Sequence, residues 1–186
     1  MTANTDVHDL IVEGLDVLNR MDESQAADHL RETCGVNVAA WAARLASRRP
    51  FADVDSLVAA ANEEVDRLTE EEVAESHRGL ARIGAPKIGT DRETRWSSEE
   101  SEGIVRTEQF LRELEAANEA YEARFGHIFL ISATGFSGEE ILRALRERTG
   151  NDRATETRII KQELTKFLAV RMPKILHELA EPGPRR

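Results

Sequence analysis

An all-α fold is predicted from three observations. Apolar residues recur at three- and four-residue spacing along most of the chain, three Ser/Thr-x-x-Glu boxes mark helix starts, and only one stretch breaks the helical period with a continuous apolar run. The expectation is seven or eight helices in a single-domain bundle spanning residues 1–186, with one extended apolar segment through the core and short frayed ends at 1–5 and 181–186.

The first helix carries Val7, Leu10, Ile11, Leu15 and Leu18 on one stripe. Asp22 or Ser24 restarts the chain, and Leu30 with Cys34 marks a second helix ending near Gly35. An Ala-rich third helix, Val38 to Ala46, carries Trp41 and Leu45 and stops at Arg48-Arg49-Pro50-Phe51, since proline disfavours helical geometry in the residue before it. Asp55-Ser56 is the expected cap of a fourth helix with Leu57, Val58, Ala61 and Val65 inward. Thr69-x-x-Glu72 then opens a short helix whose far end is His77.

A loop with Gly84, Pro86 and Gly89 follows, and Ser97-x-x-Glu100 is read as the start of a long helix with Ile104, Phe110, Leu111, Leu114, Tyr121 and Phe125 on its stripe. Gly126 to Gly135 is the glycine-bounded apolar run, too short and too continuous for an amphipathic helix. Ser137-x-x-Glu140 opens a helix with Ile141, Leu142 and Leu145 that ends at Gly150-Asn151. The last helix, from about Arg153, buries Ile160, Leu164, Phe167 and Leu168 and then Ile175 and Leu176 beyond Pro173, where a kink is expected.

Composition narrows the function classes. Charged residues are 32% and apolar ones 40% of the 186, and 35 acidic against 25 basic side chains give a formal net charge of -10. That averaged field repels phosphate backbones and anionic lipid, so neither nucleic acid nor a membrane is an expected partner. A local arginine or a helix N-terminus can still bind a small anion. Cys34 is the only cysteine, which excludes an internal disulfide and a multi-thiolate metal site. No run approaches the roughly 20 apolar residues of a membrane span, and the N-terminus has no signal-peptide core. A cytoplasmic protein is expected.

Phosphate-cradling glycine loops, a nucleophile elbow and paired metal-ligating histidines are all absent from the sequence. Of five histidines, His8 and His29 lie on exposed-looking helix positions, His177 near the fraying end, and His127 at a turn or surface. His77 differs because a helix gives way to a loop there, although a histidine at a helix C-terminus can equally serve only the dipole. Glu100 has two readings as well: a plain capping-box carboxylate, or, at an anion-friendly helix mouth formed with Ser97, Ser98 and Ser101, a group that handles a proton or holds a ureido group. Arg171 lies among apolar neighbours, either paired with an acid such as Glu163 or Glu156 or aimed at a substrate carboxylate.

Leu18-Asn19, Leu30 to Cys34-Gly35, Trp41-Ala42, Arg49-Pro50-Phe51, His77, Ser97 to Ser101, Asn118 to Tyr121, Phe125-Gly126, Phe129 to Ala133, Glu156 and Arg171, in that order, resemble the 2-oxo-4-hydroxy-4-carboxy-5-ureidoimidazoline (OHCU) decarboxylases of urate degradation. The resemblance covers about Leu15 to Leu176. It implies an all-helical homodimer with no metal or organic cofactor, acting on a small anionic heterocycle and forming (S)-allantoin and carbon dioxide. It assigns acid–base chemistry to His77 with help from Glu100. Substrate binding falls to the serine-rich helix start, to Leu130, Ile131, Ser132, Ala133 and Thr134, and to Arg171; Arg78, beside the histidine, and Glu99, within the helix start, are further candidates on position alone.

Two positions depart from the family pattern. Arg78 stands where proline usually follows the histidine, and Ser101 where glutamine usually follows the glutamate. Both bear on the substrate more than on the fold. A relative acting on another carboxylated nitrogen heterocycle is therefore the second reading, and a non-catalytic helical interaction protein the third.

Overall fold

The computed structural model describes residues 3–76, 78, 80, 82, 83 and 107–181. Among them are eight α-helices and no strand: α1 (Ala3–Arg20), α2 (Glu23–Thr33), α3 (Ala39–Ala46), α4 (Val54–Asp66), α5 (Glu70–Ser76), α6 (Glu108–Phe125), α7 (Gly138–Thr149) and α8 (Arg153–Ala180). The all-α expectation holds. The chain divides into two compact units, Met1–Glu72 with Leu164–Arg186, and Val73–Glu163.

In the first unit, α1 to α4 and the second half of α8 bury most of the predicted stripes, with Leu18, Leu30, Trp41, Leu45, Leu57, Leu168 and Leu176 wholly inside, whereas Val7, expected on the inner stripe of α1, is 45% exposed. Several residues that carry the family resemblance turn out to hold this unit together. The Asn19 amide donates to the Phe51 carbonyl and accepts from the Phe51 N–H, both at 2.9 Å, which ties the end of α1 to the loop before α4. Arg49 Nη1 donates to the carbonyls of Leu18 and Met21, each at 2.7 Å, satisfying acceptors that the end of α1 leaves without helical partners. Trp41 Nε1 donates to Ala61 O at 3.2 Å across α3 and α4. Gly14 allows α1 to approach α8 closely: a Cβ there would lie 1.8 Å from the Leu176 carbonyl oxygen.

Capping follows side-chain chemistry closely. Asp22 caps α2 by accepting from the Gln25 N–H at 2.9 Å, and Gly35, at φ 74°, ends it in the left-handed conformation that glycine takes without strain. The Thr69 and Glu72 side chains and N–H groups exchange bonds at 2.9 and 3.2 Å, so the predicted box at α5 is formed. The cap of α4, however, is Asp53 and not Asp55-Ser56. Asp53 accepts from the Ser56 N–H at 2.7 Å while the Ser56 hydroxyl accepts from the Asp53 N–H at 3.1 Å, a box closed by serine instead of glutamate.

In the second unit, α6 packs along α7 over a core of Leu114, Tyr121, Phe125, Phe129, Ala133, Ile141, Leu142 and Leu145. The helix carrying Phe110 and Tyr121 begins later than predicted. Thr107 is extended (φ -77°, ψ 153°), and its hydroxyl caps Phe110 N at 3.1 Å, so α6 starts there and not at Ser97. The Ser137–Glu140 box is formed at α7. Helix α8 runs without interruption through Pro173, and α1 begins at Ala3, inside the stretch expected to fray. No helix among the described residues is long and apolar enough to cross a membrane.

Candidate functional site

The glycine-bounded run is the irregular heart of the second unit. It leaves α6 at Gly126 (φ 82°) and ends at Gly135 (φ 83°), where a turn is closed by Phe136 N–H to Ala133 O at 3.0 Å. Between the glycines the chain forms neither helix nor strand, and Phe129, Leu130 and Ala133 are buried. Its backbone polar groups therefore need partners from side chains.

Two charged side chains supply them. Arg148 Nη1 donates to Leu130 O at 2.9 Å, and the Ser132 N–H donates to Glu163 Oε2 at 2.7 Å. The Arg148 guanidinium lies 4.5 Å from the Phe129 ring centroid, and its Nε and Nη2 both donate to Glu156 Oε1, at 2.9 and 2.6 Å. Glu156 also accepts from the Tyr121 hydroxyl at 2.5 Å and from Asn151 Nδ2 at 2.8 Å. Burial, and then the neighbouring Glu156 carboxylate, push the Tyr121 phenol far above its usual range, so it serves as a neutral donor. Arg148 was not singled out from the sequence. The signal was present: it falls one turn beyond Leu145 on the stripe of α7 that begins at Ile141 and Leu142, a core position occupied by a charge.

His127 lies at the bend that follows α6, as a turn residue would, but it is not a plain surface residue. It is half-buried, its ring stacked on Phe125 at 6.0 Å between centroids and edge-on to Tyr121 at 5.7 Å, and its Nδ1 lies 3.1 Å from Ile128 O. Burial lowers its pKa below the ordinary value of 6.5, which keeps the ring neutral.

Of the predicted site residues, His77, Ser97, Ser98, Glu99, Glu100 and Ser101 lie outside the described residues. What surrounds His77 in sequence is described. Helix α5 ends at Ser76, whose hydroxyl donates to Val73 O at 2.7 Å, and Arg78 is an exposed turn residue whose N–H donates to Glu75 O at 2.9 Å. A few residues on, Asn118 Nδ2 donates to Ile83 O at 3.4 Å and Arg82 pairs with Glu122 at 2.5 Å, so Arg82 and Ile83 are held against one face of α6. In the 130–134 run, Leu130 and Ala133 are buried, Ile131 and Ser132 half-buried and Thr134 exposed.

Arg171 belongs to the first unit and is 1% exposed. Its guanidinium lies 5.2 Å from the Phe167 ring centroid and against Gly35, where a Cβ would stand 2.4 Å from Nη1. Gly35 therefore has two reasons to be glycine: its positive φ and the room it leaves for this cation.

An all-helical chain with a glycine-bounded irregular run, held by buried charge and carrying these motifs in this order, defines a class. The chain belongs to the OHCU decarboxylase family, whose profile matches residues 19–173. It is 32% identical over 154 residues to the 2-oxo-4-hydroxy-4-carboxy-5-ureidoimidazoline decarboxylase of Amia calva, covering 78% of this chain and 82% of that one. It is 33% identical over 111 residues to the uric acid degradation bifunctional protein TTL of Arabidopsis thaliana, covering 59% of this chain but only 34% of that longer protein. Its fold is similar, with a TM-score of 0.62 and 23% identity, to a crystal structure of OHCU decarboxylase in the presence of (S)-allantoin, over 76% of this chain and 94% of that one.

Proposed function

We propose that this protein is a cofactor-independent carboxy-lyase that converts OHCU to (S)-allantoin and carbon dioxide, as a cytoplasmic homodimer with residues 1–186 acting as one catalytic domain. The observation that carries the reading is the family match over residues 19–173, which spans the positions of His77 and Glu100.

The chemistry requires little of the protein beyond placement. The bond from the ring to the carboxylate breaks, carbon dioxide leaves, and the electron pair passes into the conjugated imidazolinone, so the substrate is its own electron sink. One proton delivered to one face of the ring then sets the product's configuration. The protein must orient the carboxylate, exclude water and supply that proton. In this reading His77 bonds the substrate hydroxyl or departing carboxylate, Glu100 assists proton delivery, and the serine-rich stretch Ser97 to Ser101 binds the anion. Peptide groups of the run Leu130 to Thr134 hold the heterocycle, and Arg171 serves the ligand's negative charge.

Replacing His77 by asparagine tests the assignment. His77→Asn is expected to lower turnover by about 10²-fold or more with the helical circular dichroism unchanged. Wild-type turnover in that variant would discard it.

Arg78 and Ser101 support a second reading, in which the same acid–base site acts on a different carboxylated nitrogen heterocycle. Genes for urate oxidation and hydroxyisourate hydrolysis beside this one would favour the first reading, and their absence the second.

A further inference from the structure

The two side-chain clamps divide the peptide groups of the apolar run into claimed and unclaimed. Leu130 O is taken by Arg148, Ser132 N–H by Glu163, and Ala133 O by the turn to Phe136. The N–H and carbonyl of Ile131 and the N–H groups of Ala133 and Thr134 have no partner among the described residues. Ile131 is half-buried and Thr134 exposed, so the unclaimed groups of these two residues border solvent, while Ala133 is buried between them.

Stability alone explains Arg148 poorly. It is 8% exposed and its partner Glu156 is 1% exposed, and burying such a pair costs desolvation that well-packed apolar residues of similar volume would avoid. What an apolar pair cannot do is hold a carbonyl in a chosen direction. Arg148 can, because its planar fork is fixed on one side by Glu156 and on its face by Phe129, leaving Nη1 aimed at Leu130 O. Without a strand ladder, the run relies on such side-chain holds and on the turn to Phe136, and Arg148 is the one that fixes the Leu130 carbonyl.

We propose that Arg148, locked by Glu156, is a positioning residue: by holding the Leu130 carbonyl it sets the direction in which the peptide groups of Ile131, Ala133 and Thr134 meet the substrate. The proposal rests on the reading that this run binds the ligand of a decarboxylase. Lysine at this position would keep the charge but, as a point donor, could not serve Glu156 and Leu130 O in the same geometry.

The test measures kcat and KM with freshly generated OHCU, and the dissociation constant of (S)-allantoin, for wild type, Arg148→Lys and Glu156→Gln, with backbone amide deuterium exchange over residues 130–134. Arg148→Lys is expected to raise KM and the allantoin dissociation constant together, on the order of 10- to 100-fold, with faster exchange confined to the run. Glu156→Gln, which keeps the shape but loosens the hold on the guanidinium, should change them in the same direction by less. Loss of folded enzyme alone would lower kcat at unchanged KM, and that pattern in both variants would overturn the proposal. So would a folded Arg148→Lys enzyme with wild-type KM and allantoin affinity. Should Arg148→Lys fail to fold, Glu156→Gln decides by the same criteria. A wild-type enzyme that does not act on OHCU would instead remove the underlying reading, visibly and before any variant is compared.

Discussion

Each unit has a glutamate that is 1% exposed and collects several donors, but the two are surrounded differently. In the first unit Glu64 accepts from Arg44 at 2.7 Å, Arg67 at 2.6 Å and Arg48 at 3.3 Å, and these arginines remain 35%, 63% and 34% exposed. In the second unit Glu156 holds Arg148, whose side chain is only 10% exposed, together with the wholly buried Tyr121. The Glu64 cluster ties α3 to α4 from the edge of the unit, where water shares the work. The Glu156 cluster is buried, and its far end reaches the irregular run. Similar residue chemistry thus makes a surface brace in one place and a directional hold on a candidate ligand-binding backbone in the other.

Removing each carboxylate should separate the two roles. Glu156→Ala leaves a guanidinium buried without its charge partner and is expected to destabilise the protein by about 3–5 kcal/mol. Glu64→Ala leaves arginines that can rehydrate, and a loss of about 1–2 kcal/mol is expected. Urea midpoints with their m-values give both numbers, and equal losses would erase the distinction. Salt sharpens it further. Raising sodium chloride from about 0.05 to about 0.5 M should shrink the penalty of Glu64→Gln by a few tenths of a kcal/mol and leave that of Glu156→Gln unchanged, because only the exposed cluster is screened.

The smallest expected effect concerns the ring beside the Glu156 cluster. Burial holds the His127 pKa below 6.5, so an unfolded chain takes up a proton near that pH while the folded one does not. The contribution of His127 to stability is complete above about pH 6.5 and falls as the pH drops from there toward its folded value. His127→Phe should flatten the slope of unfolding free energy against pH in that window. An unchanged slope would assign the dependence elsewhere.

The helices were legible because their stripes obey a simple period, and boxes such as Thr69–Glu72 and Ser137–Glu140 satisfy N–H groups that any helix start leaves open. Asp53 was missed because its reciprocal partner is a serine hydroxyl, which the glutamate-based rule does not search for. The start of α6 was misjudged because the box at Ser97 looked sufficient, whereas Thr107, which caps with a hydroxyl and no carboxylate, is the residue that opens the helix carrying Tyr121. His127 looked like a turn residue from its flanking glycine, and nothing in the local pattern announced the Phe125 and Tyr121 rings that enclose it. The candidate site was legible as a run bounded by glycines and as motifs in order. The clamp on that run was not, since Arg148 and Leu130 meet only through tertiary packing.

The proposed function requires the chain to accelerate one stereochemical course of one decarboxylation. Freshly generated OHCU should be supplied to the purified protein and the optical activity of the allantoin followed. The account predicts a fast rise of the dextrorotatory or levorotatory signal belonging to (S)-allantoin alone, well ahead of the spontaneous reaction. Racemic allantoin appearing at the uncatalysed rate would contradict it.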